Sequence, residues 1–178
     1  MNEKEIIIRR GGSQTPIELV DHDKYDSTLD VKDASGNNLV HLDHVSTVPS
    51  LDLFGKNQLA LHGIISPGKC GGVWGYTQQL GWHVCLFDLK FWDSISSRDD
   101  LNDERVTLES VKINPSMGNQ KIVSYVCIHI GGLHSNDSEA CQTIYPPEFA
   151  GFSVLWKPGE KMFVTIEVAD GYVYPVAA

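Results

Sequence analysis

The stretch GWHVCLFDLKF, residues 81–91, carries apolar side chains on both faces of an extended chain. Val84 and Leu86 fall on one face and Cys85 and Phe87 on the other, because successive side chains of a strand point to opposite sides. A strand that is buried on both faces lies centrally, between the core and a second covering layer. The stretch therefore predicts a central strand of a β protein.

Short apolar runs recur along the whole chain and are separated by Gly, Pro, Asn and Asp residues. Residues 121–130 repeat the two-faced pattern, whereas residues 162–168 alternate apolar with polar side chains and predict a strand with one wet face. No window shows helical periodicity. The predicted strands are residues 5–9, 28–32, 39–45, 59–65, 82–91, 105–113, 121–130, 152–156, 162–168 and 172–176.

Two short turn-rich links, at residues 35–38 and 157–160, join neighbouring runs in the manner of hairpins, so adjacent strands are expected to pair antiparallel. About ten strands of mixed burial predict an all-β fold, specifically a two-sheet antiparallel β-sandwich of the jelly-roll kind. A closed β-barrel is the alternative. The length of 178 residues predicts one β-sandwich domain that spans residues 1–178.

The charge of the chain argues against two classes of partner. The sequence has 14 Lys and Arg residues against 23 Asp and Glu residues, a formal net charge of -9, which repels polyanions. Nucleic acid and membrane surfaces are therefore not expected as partners. No run of apolar residues is long enough to span a membrane, and the start MNEKEIIIRR lacks the pattern of a secretory signal. These features predict a soluble, cytoplasmic protein.

The cysteines are scattered and form no C-x-x-C pair, so reduced thiols are expected. Cys70 lies in GKCGGVWGY, residues 68–76, which is interpreted first as a bend between strands, second as a binding loop and third as a reactive site. A nucleophilic Cys70 needs an imidazole base, which His129 or His134 could supply. A cysteine hydrolase using Cys70 is accordingly one alternative function. The other three cysteines are Cys85, Cys127 and Cys141.

The stretch HLDH, residues 41–44, offers a transition-metal site. His41 and Asp43 share one face of the predicted strand, and a third ligand would come from a neighbouring strand, such as His62 or His83. Imidazole and carboxylate together suit a divalent ion of the zinc type. A metal-dependent enzyme is therefore a further alternative.

Two acidic stretches carry the oxygen ligands that calcium prefers. DHDKYD contains Asp21, Asp23 and Asp26, and DDLNDE spans residues 99–104. Neither stretch matches an EF-hand, so solvated loops are the first interpretation. The sequence demands no cofactor, and calcium is the one that these stretches allow.

Aromatic side chains supply the predicted ligand-binding residues. Trp74 and Tyr76 lie in the glycine-rich segment, where flat rings suit stacking on sugar faces or packing against a partner. Trp82 and Trp156 lie in apolar runs and are predicted to belong to the core.

From Leu80 onward, the order LGW, FDL, DDLNDE, KIVSYVCIHI, QTI and FSVLW loosely resembles the TerD-like stress proteins, which are calcium-binding β-sandwiches. The resemblance covers about half of the chain and lacks that family's dense aspartate signatures, so it transfers no binding residue. FAGFSVLWKPGE is similar to one Greek-key segment of a βγ-crystallin, a fold that needs repeats of this motif. Both resemblances imply a β fold.

The sequence favours a binding or assembly module without catalysis, whose loops meet a glycan, a small ligand or a protein partner. A homo-oligomer is a further expectation, since another subunit could cover the second face of the two-faced strands. The alternatives are a metal-binding stress protein or metal-dependent enzyme, and the cysteine hydrolase. The candidate residues are Trp74 and Tyr76 for the ligand, and His41, Asp43, Asp21 and Asp23 for a metal.

Overall fold

The structure, a computed structural model, describes residues 3–20, 22–48, 65–97, 105–107, 122–124, 126–136 and 141–173. Its main feature is a closed barrel of eight strands, accompanied by two small two-stranded sheets. The barrel strands are β1 (Glu5–Arg10), β4 (Ser27–Lys32), β5 (Asn38–Ser46), β6 (Gly68–Thr77), β7 (Gly81–Phe87), β10 (Cys127–Ile130), β11 (Gln142–Ile144) and β12 (Lys161–Val168). The small sheets are β2 (Ile17–Glu18) with β3 (Lys24–Tyr25), and β8 (Arg105–Thr107) with β9 (Ile122–Ser124).

Around the barrel the strands follow the order β1, β12, β6, β7, β10, β11, β5 and β4, and pairing of β4 with β1 closes the sheet. The all-β prediction is confirmed, and the closed barrel that was the alternative is the observed arrangement. The described strands do not form the favoured two-sheet sandwich. Two-residue alternation predicts which face of a strand is buried, but it carries no information on whether the two edges of a sheet meet.

Two strand pairs of the barrel run parallel, against the expectation of antiparallel neighbours. β1 pairs parallel with β12, so the first and last barrel strands lie side by side. β10 pairs parallel with β11, and the two are separated by a connection of residues 131–141. Parallel neighbours require such a crossover rather than a tight hairpin.

The barrel interior holds the main apolar core, and β7 shows how the wall is built. Val84 and Leu86 point into the barrel, while Cys85 and Phe87 join a second apolar cluster on the outer face. The prediction that this strand is buried on both faces is confirmed. Ile95 belongs to the outer cluster, so the same chain covers this part of the outer face. The buried interior residues are Ile6, Ile8, Leu29, Val31, Leu42, Val45, Ile65, Trp74, Val84, Leu86, Val126, Ile128, Ile144, Phe152, Trp156, Met162, Val164 and Ile166.

The glycine-rich stretch at residues 68–76 belongs to β6, so its interpretation as a bend was wrong. Glycine is needed here because of close packing: a Cβ on Gly72 would collide with the side chains of Val84 and Met162. The strands therefore approach one another more closely than larger residues would allow. Glycine richness here marks a tightly packed strand rather than a turn.

Residues 152–156, predicted as a strand, instead contain the end of a helix, α1 (Pro146–Ser153). The helix has prolines in its first turn, where a missing N–H costs nothing, and its eight residues are too few to give a periodic signal. A 3₁₀ helix (Leu89–Phe91) likewise ends the long run that begins at β7, and Asp88 caps it by accepting a hydrogen bond from the Lys90 N–H.

The remaining strand predictions have mixed outcomes. The predictions at residues 5–9, 28–32, 39–45 and 162–168 are confirmed by β1, β4, β5 and β12. Residues 121–130 contain two strands, β9 and β10, instead of one. Residues 59–64, 108–113 and 174–176 lie outside the described part of the chain.

Candidate functional site

Thiol and imidazole side chains meet on the outer face of the barrel wall formed by β7, β10 and β11. Strand alternation places His83 and Cys85 outward on β7, since the residues between and after them fill the interior. Cys127 and His129 point outward from β10 in the same way. The outer-face cluster consists of His83, Cys85, Cys127, His129 and Cys141.

Strand register explains why these side chains meet. Cys85 and Cys127 are direct partners across β7 and β10, and their Sγ atoms lie 3.4 Å apart. The pairing of Ile128 with Gln142 on β10 and β11 brings Cys127 beside Cys141, one residue earlier in the register. The Cys127 backbone N–H donates to Cys141 Sγ at 3.3 Å. Cys127 therefore lies between Cys85 and Cys141 and contacts both.

The thiol of Cys141 has an environment that favours its ionised form. Hydrogen bonding from the Cys127 thiol, followed by hydrogen bonding and charge from the His129 imidazole, holds the pKa of Cys141 well below its usual range, although burial opposes this. The same contact with Cys141, then the contact with Cys85, raises the pKa of Cys127 well above its usual range. The contacts of the cluster thus favour ionisation of Cys141 and the protonated form of Cys127.

His129 is held in one orientation and one tautomer. Its side chain is only 5% exposed, and its Nδ1 lies 2.6 Å from the Ile130 carbonyl oxygen. A carbonyl oxygen can only accept a hydrogen bond, so Nδ1 is assigned as the protonated nitrogen. Nε2 is then the unprotonated ring nitrogen, which can accept a proton.

The loop that separates His129 from Cys141 is anchored at several points. The Tyr25 hydroxyl donates to the Gly132 carbonyl oxygen at 2.8 Å, and the Asn136 N–H donates to Asp23 Oδ2 at 3.0 Å. A Cβ on Gly131 would overlap the Tyr25 hydroxyl, so the loop packs tightly there. These contacts hold the described part of the loop, up to residue 136, in place.

Asp23 is buried, which corrects the interpretation of DHDKYD as a solvated loop. Its carboxylate accepts the Asn136 N–H and so has a structural contact within the protein. Burial also raises the pKa of Asp26, with the hydrogen bond from Ser27 opposing the shift. Asp21 and the acidic residues 99–104 lie outside the described residues, so the calcium hypothesis for them stays a prediction.

Cys70 and Cys141 are both partly exposed, but their thiols have different environments. It lies within β6, and burial, followed by the charge of Asp88, raises the pKa of its thiol to about 12. His129 contacts Cys141 instead, and the His134 side chain is exposed. These features argue against Cys70 as a nucleophile.

His41 and Asp43 do lie together, as their sequence spacing predicted. His41 Nε2 is 3.0 Å from Asp43 Oδ1, and its Nδ1 is 2.7 Å from Asp30 Oδ1 on the neighbouring strand β4. These contacts, that with Asp30 first, raise the pKa of His41. The group that the neighbouring strand brings to His41 is therefore a carboxylate, that of Asp30. Of the two histidines predicted as a third ligand, His83 belongs to the outer-face cluster and His62 lies outside the described residues.

The burial of the aromatic residues agrees with the sequence prediction at Tyr76 and Trp156 and disagrees with it at Trp74 and Trp82. Trp74, a predicted ligand residue, is only 3% exposed and stacks on Trp82 with ring centroids 5.8 Å apart. Trp82, predicted as core, is 41% exposed, whereas the burial predicted for Trp156 is confirmed. Tyr76 is 59% exposed and contacts Trp82 edge-on. Trp74, Trp82 and Trp156 line a surface cavity of about 230 Å³.

No family model, curated protein or solved structure matches this chain. The resemblances to TerD-like proteins and βγ-crystallins therefore have no support from these comparisons. In the described residues, no helix has the length and apolar character needed to cross a bilayer.

The interpretation of the sequence missed Cys141 as a functional candidate. One signal was present: His129 lies within the apolar run CIHI, and Cys141 follows twelve residues later, directly before QTI. The link between them is the parallel pairing of β10 with β11, which spacing alone does not reveal.

Proposed function

We propose that the protein is a cysteine-dependent acyl-transfer enzyme, with Cys141 as the nucleophile and His129 as the general base. The observation that carries the proposal is the placement of the Cys141 thiol against the His129 imidazole, whose Nδ1 is held by the Ile130 carbonyl. Cys141 contacts the imidazole, and the imidazole in turn contacts a carbonyl oxygen that orients it. A nucleophile, a base and an orienting group arranged in this way activate thiols for covalent catalysis.

Accessibility singles out Cys141 among the cluster thiols. Cys85 and Cys127 are buried, whereas Cys141 is partly exposed. A nucleophile must meet its substrate, and a partly exposed thiol beside an imidazole meets that condition. Cys127 contributes its backbone N–H, which points at Cys141 Sγ and stabilises negative charge there.

The reaction that suits these groups is attack on an amide or ester. Cys141 Sγ bonds to the carbonyl carbon while its proton passes to His129 Nε2, and the carbon–nitrogen or carbon–oxygen bond then breaks. The leaving amine or alcohol takes the proton from His129, and the acyl group remains on Cys141 as a thioester. Water or an amine attacks the thioester in the second step, which releases the acyl product and restores the thiol.

Alkylation tests the nucleophile. The reduced protein is treated with limiting iodoacetamide at neutral pH, and peptide mass spectrometry measures modification of each cysteine over time. We expect Cys141 to react first, because its ionised form is favoured and it is partly exposed, whereas Cys85 and Cys127 are buried. Cys70→Ser serves as the matched control and should leave the fast phase unchanged, whereas Cys141→Ser should abolish it. Equal reaction at all cysteines would contradict the proposal.

An activated acyl ester tests the chemistry itself. Incubation with such an ester should give a protein species whose intact mass is increased by one acyl group, carried on Cys141. The adduct should be absent from Cys141→Ser and should decay when hydroxylamine is added, because thioesters are cleaved by that amine. An adduct of equal yield in Cys141→Ser would place the reaction elsewhere.

A second candidate function, supported by a separate observation, is saccharide binding at the aromatic cavity. Trp82 and Tyr76 are exposed beside a cavity of about 230 Å³, and flat rings of this kind stack on sugar faces. A glycan array followed by titration would test it. We expect Trp82→Ala to lose any binding found, while Val20→Ala, an exposed residue outside the cavity, should retain it. An array without hits would remove this candidate.

A further inference from the structure

We propose that His83, Cys85 and Cys127 form a binding site for a thiophilic transition-metal cation of the Zn²⁺ class. One ligand atom from each residue lies within 4.8 Å of the other two, and all three side chains are buried. The site is separate from the metal site that the sequence suggested around His41. The metal proposal does not depend on the proposed acyl-transfer activity.

The barrel wall holds the three ligands in fixed relative positions. His83 and Cys85 are two residues apart on β7 and share its outer face, while Cys127, on the neighbouring strand β10, is the direct partner of Cys85. Two sulfurs bound to one tetrahedral zinc lie about 3.8 Å apart, given zinc–sulfur bonds of about 2.3 Å. The Cys85 and Cys127 Sγ atoms are 3.4 Å apart, so a shift of a few tenths of an ångström accommodates the cation.

His83 has the tautomer that metal ligation requires. Its Nδ1 lies 2.8 Å from the Gly81 carbonyl oxygen, an acceptor, so Nδ1 is assigned as the protonated nitrogen. Nε2 then carries the lone pair that can bind a cation. A backbone carbonyl that holds the other ring nitrogen is the usual outer-sphere support of a metal-bound histidine.

The ligand chemistry selects the class of cation. Two thiols and one imidazole suit Zn²⁺ and other thiophilic ions, whereas Ca²⁺ and Mg²⁺ require oxygen ligands. Binding would deprotonate Cys85 and Cys127, so the two thiol protons leave as the metal enters. Three protein ligands leave a fourth coordination position for water or another donor.

The contact between Cys127 and Cys141 connects this site to the proposed nucleophile. The Cys127 backbone N–H lies 3.3 Å from Cys141 Sγ, so a cation on Cys127 binds next to that thiol. Occupancy is expected to slow alkylation of Cys141, because the bound cation and its remaining ligand crowd the approach to that sulfur. Metal occupancy and nucleophilic attack would then be competing states of the outer-face cluster.

Cobalt titration tests the site on the purified, reduced and metal-free protein. Co²⁺ should give a thiolate-to-cobalt charge-transfer band and the intense visible bands of a tetrahedral site, saturating at one ion per chain, and Zn²⁺ should displace it. Cys85→Ser and His83→Gln should lose or strongly weaken the bands. Cys70→Ser and Cys141→Ser should retain them, since neither residue is one of the three ligands.

X-ray absorption of the zinc-loaded wild type gives a measurement that no folding defect of a variant can affect, and we expect two sulfur ligands and at least one nitrogen ligand. The proposal would be overturned by absence of cobalt bands, by their persistence in folded Cys85→Ser or His83→Gln protein, or by their loss in folded Cys141→Ser protein. A Cys85–Cys127 disulfide that persists under reducing conditions would also overturn it. Failure of the acyl-transfer proposal is seen separately, as slow alkylation of Cys141 in metal-free protein.

Discussion

Two regions on the outside of the barrel combine a histidine with ionisable partners, and they differ in burial. In the outer-face cluster, His129 is buried against Cys141 and holds its Nδ1 on a backbone carbonyl. In the region around His41, both ring nitrogens face carboxylates, of Asp30 and Asp43, and half of the histidine side chain is exposed. The first arrangement leaves a nitrogen for proton transfer to a thiol, whereas the second engages both nitrogens.

The difference shows that burial decides what a histidine can do beside a charged neighbour. Water screens an exposed pair, so its contribution to stability is small. In a buried cluster the same kind of contact shifts proton equilibria and favours one protonation state. The outer-face cluster is therefore the stronger candidate for chemistry, although HLDH was the more conspicuous motif in the sequence.

Replacing His129 should give the largest effect. His129→Ala removes the proton acceptor of Cys141, and a positioned general base contributes about 100-fold or more. We therefore expect the acylation rate of Cys141 by the activated ester to fall by about 100-fold. His134→Ala, which removes an exposed histidine of the neighbouring loop, is the matched control and should be unchanged. An unaltered rate in folded His129→Ala protein would show that His129 is not the base, and the proposed chemical difference between the two regions would be lost.

A smaller effect is expected from the loop that joins His129 to Cys141. Gly131→Ala would push a methyl group into the Tyr25 hydroxyl, and overpacking of this kind lowers the free energy of unfolding by about 1 to 3 kcal/mol. Gly151→Ala in α1 is the control, since its Cβ would meet only Val40 at 3.9 Å. Chemical denaturation measures both variants.

The double variant Gly131→Ala with Tyr25→Phe sharpens this test. Removing the hydroxyl relieves the most severe of the close contacts of the new methyl group, so the two substitutions together should cost less than the sum of their separate costs. Additive costs would show that the loop is held elsewhere, and the anchoring of the outer-face cluster would then need another explanation.

The sequence predicted the local structure better than the assembly. The face assignments of Val84, Leu86, Cys85 and Phe87 follow from alternation alone, and the contact of His41 with Asp43 follows from their spacing on one strand. Closure of the barrel depends on pairing between distant residues, which alternation does not encode.

The outer-face cluster was missed for the same reason. Its members come from β7, from β10 and from the residue that precedes β11, and they meet through the register of β7 with β10 and of β10 with β11. Cys141 has no local motif that marks it, whereas Cys70 lies in a conspicuous glycine-rich stretch. Glycine there serves close strand packing, so the conspicuous feature was structural and the inconspicuous thiol is the better candidate.

The smallest effect is expected from His41. Its contacts with Asp30 and Asp43 raise its pKa, so the folded state favours the protonated ring. The resulting stabilisation is fully present below the ordinary histidine pKa of about 6.5 and is lost as the pH rises through the higher pKa of the folded state. Because the side chain is half exposed, the contribution stays under about 1 kcal/mol.

Unfolding free energies between about pH 5 and pH 9 measure this contribution. His41→Gln should be less stable than the wild type at the acidic end, and the difference should shrink towards the alkaline end. His22→Gln removes an exposed histidine that pairs with Glu18 at the end of β2, and it is the control for general effects of removing a histidine. A stability difference that does not change with pH would mean that His41 acts through packing or a metal, and the contrast between the buried and exposed regions would weaken.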